Sequence, residues 1–313
     1  MSLELKTFRD EEDFFRIRNF LRNVFLTEDR LERSWSVPRF DYWRWHLVEN
    51  CGFVASYENS IRLWENPEGR IAAVLHPVAG SEMRLHVHPD FRTPALLDSM
   101  LICGEETLAA VENENEYVYL PVDEDDGILQ SVLEQRGYVK RSGISHKWHR
   151  DLVQEIPEQL PAAGYSIRSM GTRDEHPARS WASWRAFHGD EPDSHYDGDW
   201  SWYENIQRSP LYRRDLDIVA EAPEGGIASF CTILYDDYTR SAVCVLVGTA
   251  VDHQRRGLGK AVITEGLRRA QNLGCTRVFA TAYDPPANAL YGSVMEKNMV
   301  AVTWMKQWKM KES

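Results

Sequence analysis

The chain has few of the features that mark several large functional classes. No apolar run approaches the ~18 residues needed to span a bilayer. The opening Met1-Ser-Leu-Glu-Leu-Lys-Thr-Phe-Arg-Asp-Glu-Glu12 has acids where a secretory signal needs an apolar stretch. Basic charge is also short, with 36 Lys and Arg against 48 Asp and Glu and a formal net charge of −12. That balance provides no electrostatic footprint for nucleic acid and suits a cationic amine substrate only weakly. Cysteine is scarce and odd in number. Cys51, Cys103, Cys231, Cys244 and Cys275 show no Cys-x-x-Cys spacing, so neither a disulfide framework nor a zinc ribbon is expected, and a reducing cytoplasmic setting is. His86-Val-His88 places two imidazoles on one side of a strand, but no further ligand at metal-site spacing accompanies them, so no metal is expected.

What the sequence does have is internal repetition. Its 313 residues suit two domains, and Gly69-Arg-Ile-Ala-Ala-Val74 is echoed by Gly225-Gly-Ile-Ala-Ser-Phe230. Each is followed by a strand, a loop and an apolar helix. Val87-His-Pro-Asp-Phe-Arg-Thr-Pro-Ala95 aligns with Val251-Asp-His-Gln-Arg-Arg-Gly-Leu-Gly259 at a wider offset, which a longer second hairpin absorbs. The reading is two tandem copies of one fold: residues 1–150, a Pro-containing linker over 151–164, and residues 165–313.

The second copy carries the most informative stretch. An apolar strand, Ala242 to Val247, pairs as a hairpin with Gly226 to Ile233 across Tyr235-Asp-Asp-Tyr-Thr-Arg240, and then runs into Gln254-x-x-Gly257-x-Gly259. A helix follows at once, with Leu258, Val262, Leu267, Ala270 and Leu273 near one stripe and Gly274 at its stop. Two glycines permit a tight turn and close approach, and a fresh helix N-terminus offers amides to an anion. A dinucleotide fold would need a third glycine and a parallel βα sheet, and both are missing. In the first copy Thr93 and Ala95 replace the glycines, and Pro94 removes an amide donor. Charge follows the same division: Asp252–Cys275 holds five Lys or Arg and two acids, while His88–Val111 holds one Arg and four acids.

On these residues the chain resembles the GNAT superfamily of acyl-CoA-dependent N-acyltransferases, whose loop reads Gln/Arg-x-x-Gly-x-Gly/Ala. The likeness continues through the strand Arg277–Tyr283, a Pro-rich turn, Asn288-Ala-Leu-Tyr291 on a short helix, and a last strand Met299–Lys309. It is similar in architecture alone to tandem members of the mycothiol synthase kind, with a degenerate first copy. The resemblance implies an α/β (α+β) fold in which each copy is a mixed, mostly antiparallel sheet flanked by helices. It implies acetyl-CoA as co-substrate, held by Thr249, Ala250 and Val251 along the pantetheine and by Arg255, Arg256, Gly257, Leu258, Gly259 and Lys260 at the pyrophosphate, with Asn288 contacting the cofactor. Tyr291 matches the general acid. One departure is plain: Val294-Met-Glu-Lys-Asn298 stands where relatives read Gly-Phe, leaving the helix end and the start of the final strand open.

The general base is not supplied by the motif. Relatives often use a carboxylate on the strand before the cradle, and Ser241–Val251 has none. Cys244 on that strand reads as core. The segment Ala186–Glu204, dense in aromatics, acids and histidines, is the alternative source and a candidate substrate wall. Two functions follow: acetyl transfer to a primary amine of a small molecule or peptide, or a non-catalytic acyl-CoA-binding or sensing module.

Overall fold

The computed structural model describes residues 2–54 and 56–310 of the chain. It is a mixed α/β protein with sheets flanked by helices. The chain divides into two compact units that are not contiguous in sequence. One comprises Met1–Trp43, Cys51–His146 and Met299–Ser313, and the other Arg44–Asn50 and Lys147–Asn298.

In the first unit, strands β1 (Glu4–Thr7), β2 (Arg62–Glu65), β3 (Ile71–Pro77) and β4 (Met83–Val87) form an antiparallel sheet in that order. Helices α1 (Glu11–Thr27), α2 (Val37–Tyr42) and α3 (Tyr57–Ser60) precede β2, and α4 (Pro94–Leu108) follows β4. A further strand group holds β5 (Ala110–Glu112) and β6 (Asn115–Asp123), then α5 (Gly127–Gln135) leads into β7 (Val139–Asp151). β6 is paired on its other side by the last strand of the chain, β13 (Lys297–Lys309), antiparallel from Ala301↔Asp123 to Lys309↔Asn115. Trp304 of β13 joins the core built from Leu97, Leu101, Leu120 and Leu133.

The second unit takes the end of β7, Lys147–Asp151, and then β8 (Ser166–Ser169), α6 (His176–Phe187), α7 (Ser201–Gln207), β9 (Asp217–Glu221), β10 (Ile227–Asp236), β11 (Ser241–Thr249), α8 (Leu258–Asn272), β12 (Arg277–Ala282) and α9 (Pro285–Gly292). Its strand order is β7, β12, β11, β10, β9, β8. The hairpin expected from the alternating apolar pattern is β10–β11, antiparallel from Ser229↔Thr249 to Asp236↔Ser241. All ten residues of β10 are buried, so the strand is covered on both faces. Cys231 and Cys244 belong to this core.

Helix α8 shows why its N-terminus is held firmly. Leu258, Val262, Ile263 and Leu267 are essentially inaccessible to solvent, and burying each such aliphatic side chain contributes roughly 1.5–3 kcal/mol. The helix ends as its sequence implies. Gly274 takes φ 92°, its amide bonds to Gln271 O at 2.8 Å, and the Cys275 amide bonds to Ala270 O at 3.0 Å. These two reversed bonds are a Schellman stop. In the first unit α4 occupies the equivalent position and matches α8 at 15 residues. Among the described residues no helix is long and apolar enough to cross a membrane.

Candidate functional site

The site is built where β11, α8 and α9 converge. The β10–β11 register slips between Thr232↔Leu246 and Ile233↔Cys244, leaving Val245 as the extra residue of a β-bulge. On the opposite side β11 runs parallel to β12, but the described ladder covers only Ser241↔Arg277 to Val243↔Phe279. β11 nevertheless continues to Thr249 and β12 to Ala282. The β11–β12 ladder therefore ends at Val243, although both strands continue.

At the end of β11 the Thr249 hydroxyl lies 2.8 Å from the Ser229 hydroxyl, and the Ala250 amide donates to Ala228 O at 2.9 Å. Val251 opens a single 3-10 turn, Val251–His253. The Gln254 side-chain amide then donates back to Thr249 O at 3.2 Å, closing the loop. Arg255 and Gly257 both take left-handed backbone, at φ 63° and 75°. Gly257 is the N-cap of α8 and contributes no side-chain cap, so the first-turn amides of α8 carry their partial positive charge toward the loop. A Cβ at Gly259 would meet Thr249 Oγ1 and both Leu290 methyls at 3.4 Å, so three elements close on this position. Arg255, Arg256 and Lys260 are exposed around the rim and Leu258 is buried beneath it.

The corresponding turn in the first unit is capped from within. Thr93 Oγ1 accepts the Leu96 amide at 3.2 Å, and Pro94 has no N–H to offer. Two of the donors that an anion would use are thus removed or occupied.

Helix α9 starts on the Asp284 carboxylate, which accepts the Ala287 amide at 2.8 Å, with Pro285 and Pro286 in the first turn. Asn288 has both ends of its side chain engaged: Oδ1 accepts from Trp148 Nε1 at 3.0 Å and Nδ2 donates to Asp284 O at 2.9 Å. Tyr291 is buried to 7 % exposure in the core cluster with Leu258, Ala282, Val294 and Met295. The helix ends at Gly292, and the Met295 amide returns to Tyr291 O at 2.7 Å. Val294 and Met295, both buried, take the place of the Gly-Phe pair, and β13 begins at Lys297, two residues before the expected Met299.

The aromatic and acidic segment expected to form a wall does pack close to the loop. Arg185 of α6 bridges Asp193 and Asp252, each at 3.2 Å, and a Cβ at Gly189 would lie 3.2 Å from Val251 Cβ. His188 Nδ1 lies 2.9 Å from Glu191 Oε1, and His195 Nδ1 lies 3.2 Å from Glu191 Oε2. These two imidazoles, His188 foremost, hold the Glu191 carboxyl below its ordinary range. Tyr203 and Tyr212, by contrast, are not part of a wall. They hydrogen-bond the buried Asp217, which also accepts from Thr232 at 2.8 Å.

His86 sits in a closed chain that sequence spacing gave no hint of. The Trp35 amide donates to His86 Nδ1 at 3.3 Å, His86 Nε2 faces His76 Nε2 at 3.0 Å, and His76 Nδ1 lies 2.8 Å from Pro77 O. One assignment satisfies these three contacts together. Both rings are neutral, His76 donating to Pro77 O and His86 to His76. Among the described residues no group of three or more His, Cys, Asp or Glu is placed to hold a metal ion.

Residues 177–295 match the model of the Acetyltransferase (GNAT) family. No curated protein matches the chain. Among solved structures, a GCN5-related N-acetyltransferase from Sphaerobacter thermophilus is similar at 17% identity and TM-score 0.64, covering 98% of this chain and 96% of that one. A tandem GNAT protein from the clavulanic acid biosynthesis pathway is similar at 14% identity and TM-score 0.64, covering 99% and 100%. Saccharomyces cerevisiae N-myristoyltransferase, solved with myristoyl-CoA, is similar at 12% identity and TM-score 0.56, covering 97% and 78%.

Proposed function

We propose that this chain, whose residues 177–295 match the Acetyltransferase (GNAT) family model, is an enzyme that transfers the acetyl group of acetyl-CoA to a primary amine. The family match supports acetyl transfer as the reaction class, and the acceptor belongs to the proposal. The observation that carries the reading is the pairing of an uncapped α8 N-terminus, entered through left-handed Gly257, with a β11–β12 ladder that ends at Val243.

In this reading acetyl-CoA supplies an activated thioester, and the chain's residues do the rest. The amides of Leu258, Gly259 and Lys260 face the pyrophosphate with the charges of Arg255 and Arg256 beside them. Thr249, Ala250 and Val251 line the pantetheine side. Tyr291, on α9, donates a proton to the departing sulfur. Asn288 fixes the tilt of α9 through Trp148. The first unit, with its self-capped Thr93 turn, holds no second cofactor.

One observation favours the alternative of a non-catalytic acyl-CoA-binding module: β11 has no carboxylate to act as base. Single-turnover release of CoA in the presence of an amine panel separates the two. Release above a protein-free control supports the enzyme, and tight acetyl-CoA binding with no accelerated release supports the module.

A further inference from the structure

A pocket of about 200 Å³ lies beside the loop, between α6, the 190s segment and α7. Trp184, Phe187, His188, Tyr196, Asp197 and Trp202 form most of its wall. The aromatic rings are locked by one another: Trp184 and Tyr196 lie 5.7 Å apart, and Trp181 stacks on Trp184 at 5.5 Å and meets Tyr196 edge-on at 5.2 Å. Trp202 is tied by its indole Nε1 to Ser180 at 2.9 Å, and Ser180 in turn donates to Asp199 O at 2.7 Å. The cage is preorganised in this sense, since its rings need no ordering when a ligand enters.

Two of its properties point to one ligand chemistry. Indole and phenol faces attract a cation, and the carboxylates of Asp197 and Asp199 on the same wall add a negative field. The volume is that of a small molecule: a cavity of about 150 Å³ takes up benzene, so this one has room for a single ring and a short chain.

Position ties the pocket to the transfer site. Phe187 and His188 are pocket residues at the end of α6, the next residue, Gly189, packs on Val251, and Arg185 one turn earlier reaches Asp252. His188 is held on two sides, its ring stacked on Trp184 at 5.8 Å and its Nδ1 beside Glu191. With Nδ1–H donating to the carboxylate, the neutral ring presents Nε2 as an acceptor.

We infer that this cage is the acceptor site for a primary amine carrying one apolar ring on a short chain, and that His188 takes the proton the ammonium must lose. The inference rests on the acetyl-transfer reading above. The ammonium gives its first proton to His188 Nε2, and the free amine nitrogen forms a bond to the acetyl carbonyl carbon. The carbon–sulfur bond breaks, and sulfur leaves with the proton of Tyr291. The second proton lost by nitrogen restores Tyr291, and His188 returns the first to solvent. The products are the N-acetyl amine, CoA and one released proton.

The test uses the full chain with phenethylamine and ethanolamine as probes, and acetyl-CoA binding measured separately by calorimetry. Phenethylamine is expected to be acetylated with kcat/KM at least ~10-fold above ethanolamine. Phe187→Ala, at an exposed wall position, is expected to raise KM for phenethylamine ~5-fold or more while leaving acetyl-CoA affinity intact. His188→Gln is expected to lower kcat ~10²-fold and to remove the acid limb of the pH profile, the scale and signature of lost base catalysis. Equal use of the two amines, or Phe187→Ala indistinguishable from the parent, overturns the acceptor assignment, as does phenethylamine that is not acetylated by protein that binds acetyl-CoA. Unchanged kcat and pH profile in His188→Gln overturns its role. Protein that fails to bind acetyl-CoA removes the acetyl-transfer reading itself, a distinct result.

Discussion

The indole Nε1 of Trp148 donates to Asn288 Oδ1 at 3.0 Å, joining β7 to the short helix that carries Tyr291. The same ring supports α9 by contact, since a Cβ at Gly292 would lie 3.0 Å from it. A helix of eight residues has little stability of its own, so its orientation depends on such anchors. A hydrogen bond of this kind contributes about 1 kcal/mol net. Trp148→Phe and Asn288→Leu should each destabilise the protein, and a double-mutant cycle should give a coupling of about 1 kcal/mol. Strict additivity in urea unfolding would show that the bond contributes nothing.

The Gly257 turn gives the second prediction. At φ 75° an L-residue pays roughly 1–2 kcal/mol, and a β-branched one more. Gly257→Val should therefore distort the entry to α8 and weaken acetyl-CoA binding ~10-fold or more, with Gly257→Ala intermediate. Calorimetry on folded Gly257→Val decides it: an affinity equal to the parent's would remove the loop from the binding site.

Tyr291→Phe isolates the hydroxyl without emptying the core around it. If the phenol protonates the leaving sulfur, kcat falls ~10²-fold while acetyl-CoA affinity holds. A variant with unchanged turnover would show that Tyr291 only packs.

Cofactor stoichiometry follows from the contrast between Thr93, which caps its own helix, and Gly257, which cannot. Titration should give one acetyl-CoA per chain. Two sites of comparable affinity would contradict the reading of the first turn as closed.

Two imidazoles, His76 and His46, contribute to acid stability. Burial pushes His76 down to about 3, and burial together with the nearby Arg179 charge pushes His46 down to about 4. In the unfolded chain both titrate near 6.5. Below that pH the unfolded state binds the extra protons, so the stability present above about 6.5 is lost as pH falls toward 4. The slope is about 1.4 kcal/mol per pH unit for each histidine. His46→Gln should remove its share of the slope in urea unfolding between pH 4 and 6.5, and an unaltered slope would refute the assignment.

Elements whose signals lie within one short window were legible in the chain. The β10–β11 hairpin follows from alternation and a turn, and α8 from an apolar stripe ended by Gly274. The contrast of Gly257 with Thr93 is local in the same way, since it separates a turn that takes left-handed backbone from one that caps its own helix. The 15-residue match of α4 and α8 agrees with the repeat read from Gly69–Val74 and Gly225–Phe230. The Ala186–Glu204 segment was visible as a collection of residue types, but not as a cage that leaves Tyr203 outside it.

The sequence by itself determined the local chemistry: which turn tolerates left-handed backbone, which helix start lacks a cap, and which segment concentrates rings and acids. Only the tertiary structure decided how distant pieces use it. It paired β13 with β6, ended the β11–β12 ladder at Val243, bound Trp148 to Asn288 and threaded Trp35, His86, His76 and Pro77 into one hydrogen-bonded chain. The physical reason is range. Backbone dihedrals, caps and amphipathic stripes are set by neighbours a few residues away, whereas strand partner, register and ring stacking depend on which of many remote surfaces best buries apolar area and satisfies every buried polar group at once.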